Sequence, residues 1–311
     1  MKTTITTLAL AVASAMSFSS MAANTPSLDV YGKANITLQS SDTGTGSFTE
    51  LKSNASRIGF KGFLNLDNNL QVVYQAEYEV DIVSAHGGKS NNFTNRNQFI
   101  GLKGNFGKVL LGTNDTILKQ SQGKVDLFND LSGDIKHLWK GENRVGNTVT
   151  YITPSMNNLH VGVTYIANGA VGGKTGTSIA AMYGDSKLKK TPFYAALSVD
   201  NNVKGYDVTR ATFSTKANAV TLGAMYQHQK SDAGVEMNGY LVSAKYSIND
   251  VALKAQYQVA DFKNADKNKG FSVGADYKLA KTTKVFAFYT TLNFQSAMNQ
   301  KYLAVGIEQK F

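Results

Sequence analysis

The chemistry this chain offers begins with fixed charge. Lys33 lies in SLDVYGKANITLQ, residues 27–39, where Asp29, Tyr31, Lys33, Asn35, Thr37 and Gln39 alternate with Leu28, Val30, Ala34, Ile36 and Leu38. Period-2 alternation of that length describes a strand with two unlike faces. Arg57 and Lys61 oppose Ile58 and Phe60 in the same way. Arg144 is in phase with Thr148 and Thr150 and opposes Val149 and Tyr151. Arg96 fits less well, because Ile100 and Leu102 share its parity. Charges on the polar faces of strands can steer or hold ions. Bond-making chemistry would need a nucleophile with a base and an orienting group. The only imidazoles are His86, His137, His160 and His228, and no H-x-x-x-H pair occurs. His86 and His137 fall in expected loops and His160 beside an expected turn. Cysteine is absent, so no disulfide or thiolate metal site is available. No catalytic residue, metal or cofactor is expected.

The elements that carry these charges follow from composition and repeat. The chain has 28 Gly, 15 Tyr and 16 Phe, but 3 Pro and 1 Trp. Mean hydropathy is −0.22, and no apolar segment is long enough to cross a bilayer as a helix. A membrane β-barrel has this composition because half of each strand faces water; a large soluble β protein shares it. The net charge of +10 suits an anionic partner. No run of Lys or Arg exceeds two, however, which argues against a nucleic-acid arm. Residues 1–22 read as a signal peptide: Lys2, an apolar run through Leu8–Val12 to Phe18, then Ser20-Met21-Ala22. Cleavage is expected after Ala22 or Ala23, with export from the cytoplasm.

Short turn-forming segments recur at LDNNL near residue 67, GNFGK near 105, SMNNL near 156, SKLKK near 187, KANAV near 217, INDV near 249 and AKTTK near 281. Such a period signals a repetitive architecture. Seven short turns with both chain ends on one side imply eight longer connections and sixteen strands, each roughly 9 to 11 residues, the length that crosses a bilayer at a tilt. In lipid the apolar faces point outward and the polar faces inward. Tyr74, Tyr151, Tyr165, Tyr246, Tyr257 and Tyr277 lie near run ends, as interfacial girdles require. The interval from 105 to 156 carries a long third connection, Thr113 to Asn143, and long connections in compact folds are usually functional.

Several stretches resemble the Gram-negative general porins: VYGKANI, SRIGFKG at 56–62, NRNQFIGLKGNFG at 95–107, NRVGNTVTYITP at 143–154, and a terminal Phe311 preceded in phase by Leu303, Val305 and Ile307. Gln309 departs from the aromatic often found near that end. The resemblance implies an all-β fold, a transmembrane 16-stranded antiparallel up-and-down β-barrel over residues 23–311 with the third loop folded into the lumen. It implies passive diffusion of small hydrophilic solutes across the outer membrane through a charged constriction. Lys33, Arg57, Arg96 and Arg144 match the basic wall of that constriction. Asp126, Asp130 and Asp134, in DLFNDLSGD, match the acids of the facing loop. Unlike charges across a narrow wet gap would align water and dipolar solutes. Tyr31, Lys61 and Glu77 are further lumen candidates, and Phe311 would be the assembly signal. The family implies a homotrimer in outer-membrane lipid and lipopolysaccharide, delivered by periplasmic chaperones to the outer-membrane assembly machinery, with the second loop, Asp81 to Thr94, as a latch onto a neighbour. A weak anion preference is expected, with a solute-specific channel for phosphate, a sugar or an organic anion as the alternative and an outer-membrane enzyme as a remote one. Lysines 187, 189, 190, 281 and 284 are expected to face the periplasm without setting selectivity.

Overall fold

The computed structural model describes residues 25–84, 92–170, 172–263 and 265–311. The signal-peptide segment and the centre of the second loop lie outside them. The strands are β1 (Asp29–Asp42), β2 (Ser47–Ser53), β3 (Arg57–Asn65), β4 (Gln71–Val80), β5 (Phe93–Gly104) and β6 (Gly107–Asp115). After the third loop come β7 (Arg144–Ile152), β8 (Leu159–Ile166), β9 (Gly176–Tyr183), β10 (Phe193–Val203), β11 (Tyr206–Ala217) and β12 (Val220–Ser231). The last are β13 (Glu236–Ile248), β14 (Val251–Phe262), β15 (Asn268–Lys278), β16 (Thr283–Asn293) and β17 (Gln300–Lys310). The pairings are antiparallel throughout, and β1 pairs with β17 from Lys33↔Lys310 to Asp42↔Lys301, so the sheet closes. Closure removes every open strand edge, which lipid would not tolerate.

The seventeen segments form sixteen staves, because β2 and β3 are halves of one. Both pair with β1, β2 over Ile36–Asp42 and β3 over Asp29–Lys33. The break at residues 54–56 holds Ala55 at φ 50°. Its flanking side chains replace the lost ladder: Asn35 N donates to Ser56 Oγ at 3.0 Å and Asn54 Nδ2 to Thr37 Oγ1 at 3.0 Å. The seven turns fall where the repeat places them. Two of them use Asn218 and Asn249 at positive φ, 52° and 49°, as tight hairpins require. The opposite connections depart from expectation. The first (43–46), fifth (204–205) and sixth (232–235) are as short as the turns, and strands run from 7 to 14 residues.

Along most staves the alternation sorts as expected. Val30, Leu38, Val242, Leu303 and Val305 are exposed on the outside, while Asn35, Thr37 and Gln39 are buried inside. The exception lies on β12, β13 and β16, where Met225, Leu241, Phe286, Phe288 and Leu292 face inward. The third loop covers them. Val125, Ile135, Leu138 and Trp139 pack on Met225, Met237, Leu241 and Leu292, and Phe128 and Leu131 pack on Phe286 and Phe288. At the loop's start, helix α1 (Ile117–Ser121) is capped by Thr116, and Ile117 packs against Met182 and Tyr194. The hydrophobic core of this protein is therefore the seam between one loop and one arc of wall.

Candidate functional site: the charged bore

The strands opposite that seam carry the basic wall. Lys33 on β1 and Arg57 on β3 are register partners. Both reach the loop tip, with Lys33 Nζ 2.8 Å and Arg57 Nη2 2.9 Å from Asp130 Oδ2. Asp130 adopts φ 69°, a left-handed conformation that Asp tolerates better than most residues, and this turns its carboxylate to the wall. Burial alone would raise the Asp130 pKa, but the opposed charges of Lys33 and Arg57 outweigh it and lower the value to about 2.

Arg96 points inward despite its parity with Ile100 and Leu102. In the β4–β5 ladder Ala76 pairs with Gln98 and Tyr78 with Asn95, so Arg96 and Asn97 together oppose Glu77. This bulge switches faces within one strand. Arg96 Nε then lies 2.6 Å from Glu77 Oε1, and Nη1 lies 2.7 Å from Glu79 Oε2. A second register shift, between Gly112/Thr148 and Asn114/Val145, sets Arg144 opposite Asp115. Arg144 Nη2 is 3.0 Å from Asp115 Oδ1, and its Nε donates to Asn97 Oδ1 at 2.8 Å. Tyr31 Oη donates to Glu77 at 3.0 Å, and the Lys61 ammonium lies 5.0 Å from the centre of the Tyr31 ring.

The three loop acids do not act alike. Asp126 is turned inward: its oxygens accept from Phe128 N (2.9 Å), Ile135 N (3.0 Å) and Gln256 Nε2 (3.1 Å). Asp134 accepts from Asp130 N and Lys136 N, both at 2.9 Å. These two brace the loop, and of the three only Asp130 bonds to the basic wall. The expected wet gap between wall and loop is bridged at that point, since the unlike charges are in contact. Beside the contact lies an open polar cavity of about 610 Å³. Seven Lys or Arg and five Asp or Glu residues line it, Arg57, Arg96, Arg144, Asp115, Asp130 and Asp134 among them.

Sequence reasoning missed Asp115 and the far anchor of the loop. Arg210, wholly buried, pairs with Glu142 at 2.7 Å and donates from Nε to Gln227 Oε1 at 2.8 Å. Trp139 Nε1 donates to Val259 O at 3.0 Å. Arg210 shares inward parity with Thr212 and Ser214, a signal that was available. Nothing in the sequence pairs it with Glu142. The chain also holds one G-x-S-x-G segment, Gly270 to Gly274. It runs through the middle of β15, where Ser272 Oγ shares a 2.8 Å hydrogen bond with Thr290 Oγ1, and not at the strand-to-helix turn a nucleophile elbow needs. Among the described residues no three metal-ligating side chains cluster.

Comparison with known proteins agrees with this architecture. The "Major outer membrane protein P.IB" of Neisseria meningitidis is 26% identical over 301 residues, covering 87% of this chain and 86% of its own. The anion-selective porin from Comamonas acidovorans superimposes with a TM-score of 0.78 at 21% identity, covering 92% of this chain and all of the other. The trimer form of OmpT from Vibrio cholerae gives 0.70 at 14% identity, covering 92% and 99%. The family model described as Gram-negative porin matches residues 9–297. The chain thus belongs to the Gram-negative porin family, and its barrel is a water-filled passage through the outer membrane.

Proposed function

We propose that this porin is a general diffusion channel with a weak anion preference, working as a homotrimer. The observation that carries the selectivity is the imbalance of charge lining the cavity beside the Asp130 contact: seven basic side chains against five acidic ones. Asp134 is occupied in bracing the loop and Asp130 is offset by two cations. Lys33, Arg57, Arg96 and Arg144 would form the wall past which solutes move, and no energy source is required. Salt over a Debye length, about 8 to 10 Å at physiological strength, keeps the preference weak.

The trimer draws support from an apolar groove of about 640 Å³ on the outer face, lined by Ile36, Leu38, Leu51, Val305 and Ile307, which a neighbour's apolar side chains would fill. The centre of the second-loop latch, residues 85–91, falls outside those described. Export by the signal peptide, handling by periplasmic chaperones and insertion beside lipopolysaccharide complete the reading, with Phe311 as the signal for assembly.

Single-channel recording in a planar bilayer tests it. Large conductance arriving in threes, with a reversal potential favouring anions in a salt gradient, is the expected result. Refolded, heat-modifiable protein that conducts nothing would overturn the channel reading. A cation-favouring potential would overturn the preference alone.

A further inference from the structure

A second cationic cluster lies at the turn end of the bore. The turn between β9 and β10, residues 184–192, is the longest on that side and folds under the third loop. Leu188 packs on the cluster formed by Ile117, Met182 and Tyr194, and a Cβ on Gly123 of the loop would come within 3.2 Å of Ser186 Cβ. Asp185 stiffens the turn by accepting from Lys187 N at 2.9 Å and Lys189 N at 3.0 Å. Lys187 and Lys189 are thereby brought to a pocket of about 290 Å³ shared with Lys124 of the loop, Lys216 of β11 and Lys245 of β13.

Three features distinguish this pocket from the constriction cavity, with which it shares Lys124. No carboxylate lines it. None of the five ammonium groups lies within ion-pairing distance of a carboxylate among the described residues, whereas Lys33, Arg57, Arg96 and Arg144 all do. Hydroxyls of Ser214 and Thr221 also line it and can donate, whereas that of Ser243 is spent on Val125 O at 2.7 Å. Three acids on adjoining elements are already engaged: Asp185 caps its turn, Asp126 braces the loop, and Asp276 holds Lys254 and Lys284 at 2.7 and 3.0 Å. Confinement within the barrel, then the charge of Lys187 and of Lys310, lowers the Lys124 pKa. Several like charges held around a small volume by a braced turn and a packed loop repel one another, and an anion relieves the repulsion.

We propose that this pocket is an anion-binding site at the periplasmic mouth, suited to a compact oxyanion of two or more charges. It rests on the porin reading, which puts the turns on the periplasmic side. Anions that pass the constriction would dwell here before release.

The test uses the full-length porin in a planar bilayer in potassium chloride, with inorganic phosphate as the probe, made mostly dianionic by mild alkalinity. Phosphate added on the turn side should reduce the current at lower concentration than phosphate added on the loop side. In the triple variant Lys187→Gln, Lys216→Gln, Lys245→Gln the half-blocking concentration should rise about tenfold, as loss of three solvent-accessible ion pairs predicts. The chloride current itself controls for folding. A block equal from both sides, a block unchanged in the triple variant, or no block of the parent channel would overturn the proposal while leaving the porin reading intact. Absence of any chloride current in the parent would overturn both.

Discussion

At the residue scale, Asp130 carries the electrostatics of the loop tip. Its carboxyl pKa falls from 3.8 to about 2 because Lys33 and Arg57 outweigh the cost of burying it. A lowered acid pKa means the folded state binds the proton less readily than the unfolded chain. The contact therefore contributes stability above pH about 4 and loses it as the pH falls through about 2. Reversal potentials recorded down a pH series should hold their Asp130-dependent part to near pH 3 and then move toward anions. Asp130→Asn should show the more anion-selective value already at neutral pH and no acid step from this group. The reverse holds for the wall. Arg57→Ala combined with Arg144→Ala removes two of the seven cations lining the cavity and should shift the reversal potential toward cations without loss of conductance. A potential that does not move would place the filter elsewhere.

At the element scale, the third loop is held as a buried element. Its apolar side chains form the core with the inner faces of β12, β13 and β16, and the Arg210–Glu142 pair fixes its far end. Removing one partner of a buried ion pair costs about 3–5 kcal/mol because the other charge is stranded. Truncating a buried Trp costs a similar amount. Glu142→Gln and Trp139→Ala should therefore free the loop while the barrel stays closed. The expected signs are faster tryptic cleavage after Lys136 or Lys140, read on gels of heat-modifiable protein, and noisier single-channel current. Cleavage as slow as in the parent would mean the loop is held by other contacts. The bulge in β5 acts at the same scale, since without it Arg96 would face lipid with Ile100 and Leu102.

At the scale of the whole molecule, closure depends on the two chain ends. Gly32 N donates to Phe311 O at 3.0 Å and Phe311 N to Gly32 O at 3.2 Å. The Phe311 ring lies where a Gly32 side chain would project, and that side chain would also come within 2.8 Å of Arg57 O. Only glycine fits so close an approach. Gly32→Val should lower the yield of heat-modifiable barrel on refolding by several-fold, and Phe311→Ala should do so through loss of the seam contact. Full yield from Gly32→Val would show that the seam can open to accommodate a side chain.

Strands and turns were legible in the local pattern of the sequence, and the resemblance to porins turned them into a barrel. Period-2 alternation and seven recurring turns indicated the stave count and the position of the long loop, because these are local properties of strands and turns; which face meets lipid followed from the signal segment, the strand length and the aromatic strand ends. The sequence also indicated Arg57 through parity with its neighbours, whereas Arg144 lies beyond a register shift that breaks its parity with Thr148. Tertiary structure alone decided the rest. A bulge placed Arg96 inside, which a strict period of two cannot foresee. Inward Met225, Leu241 and Phe288 became core only because a distant loop covers them. Of three similar aspartates, two turned to backbone N–H groups and one to the wall, a choice set by how the loop coils and not by residue type. Lysines that read as solvated turn residues, Lys187 and Lys189, were gathered with Lys124, Lys216 and Lys245, because closing the barrel brings together residues up to about 120 positions apart in the chain.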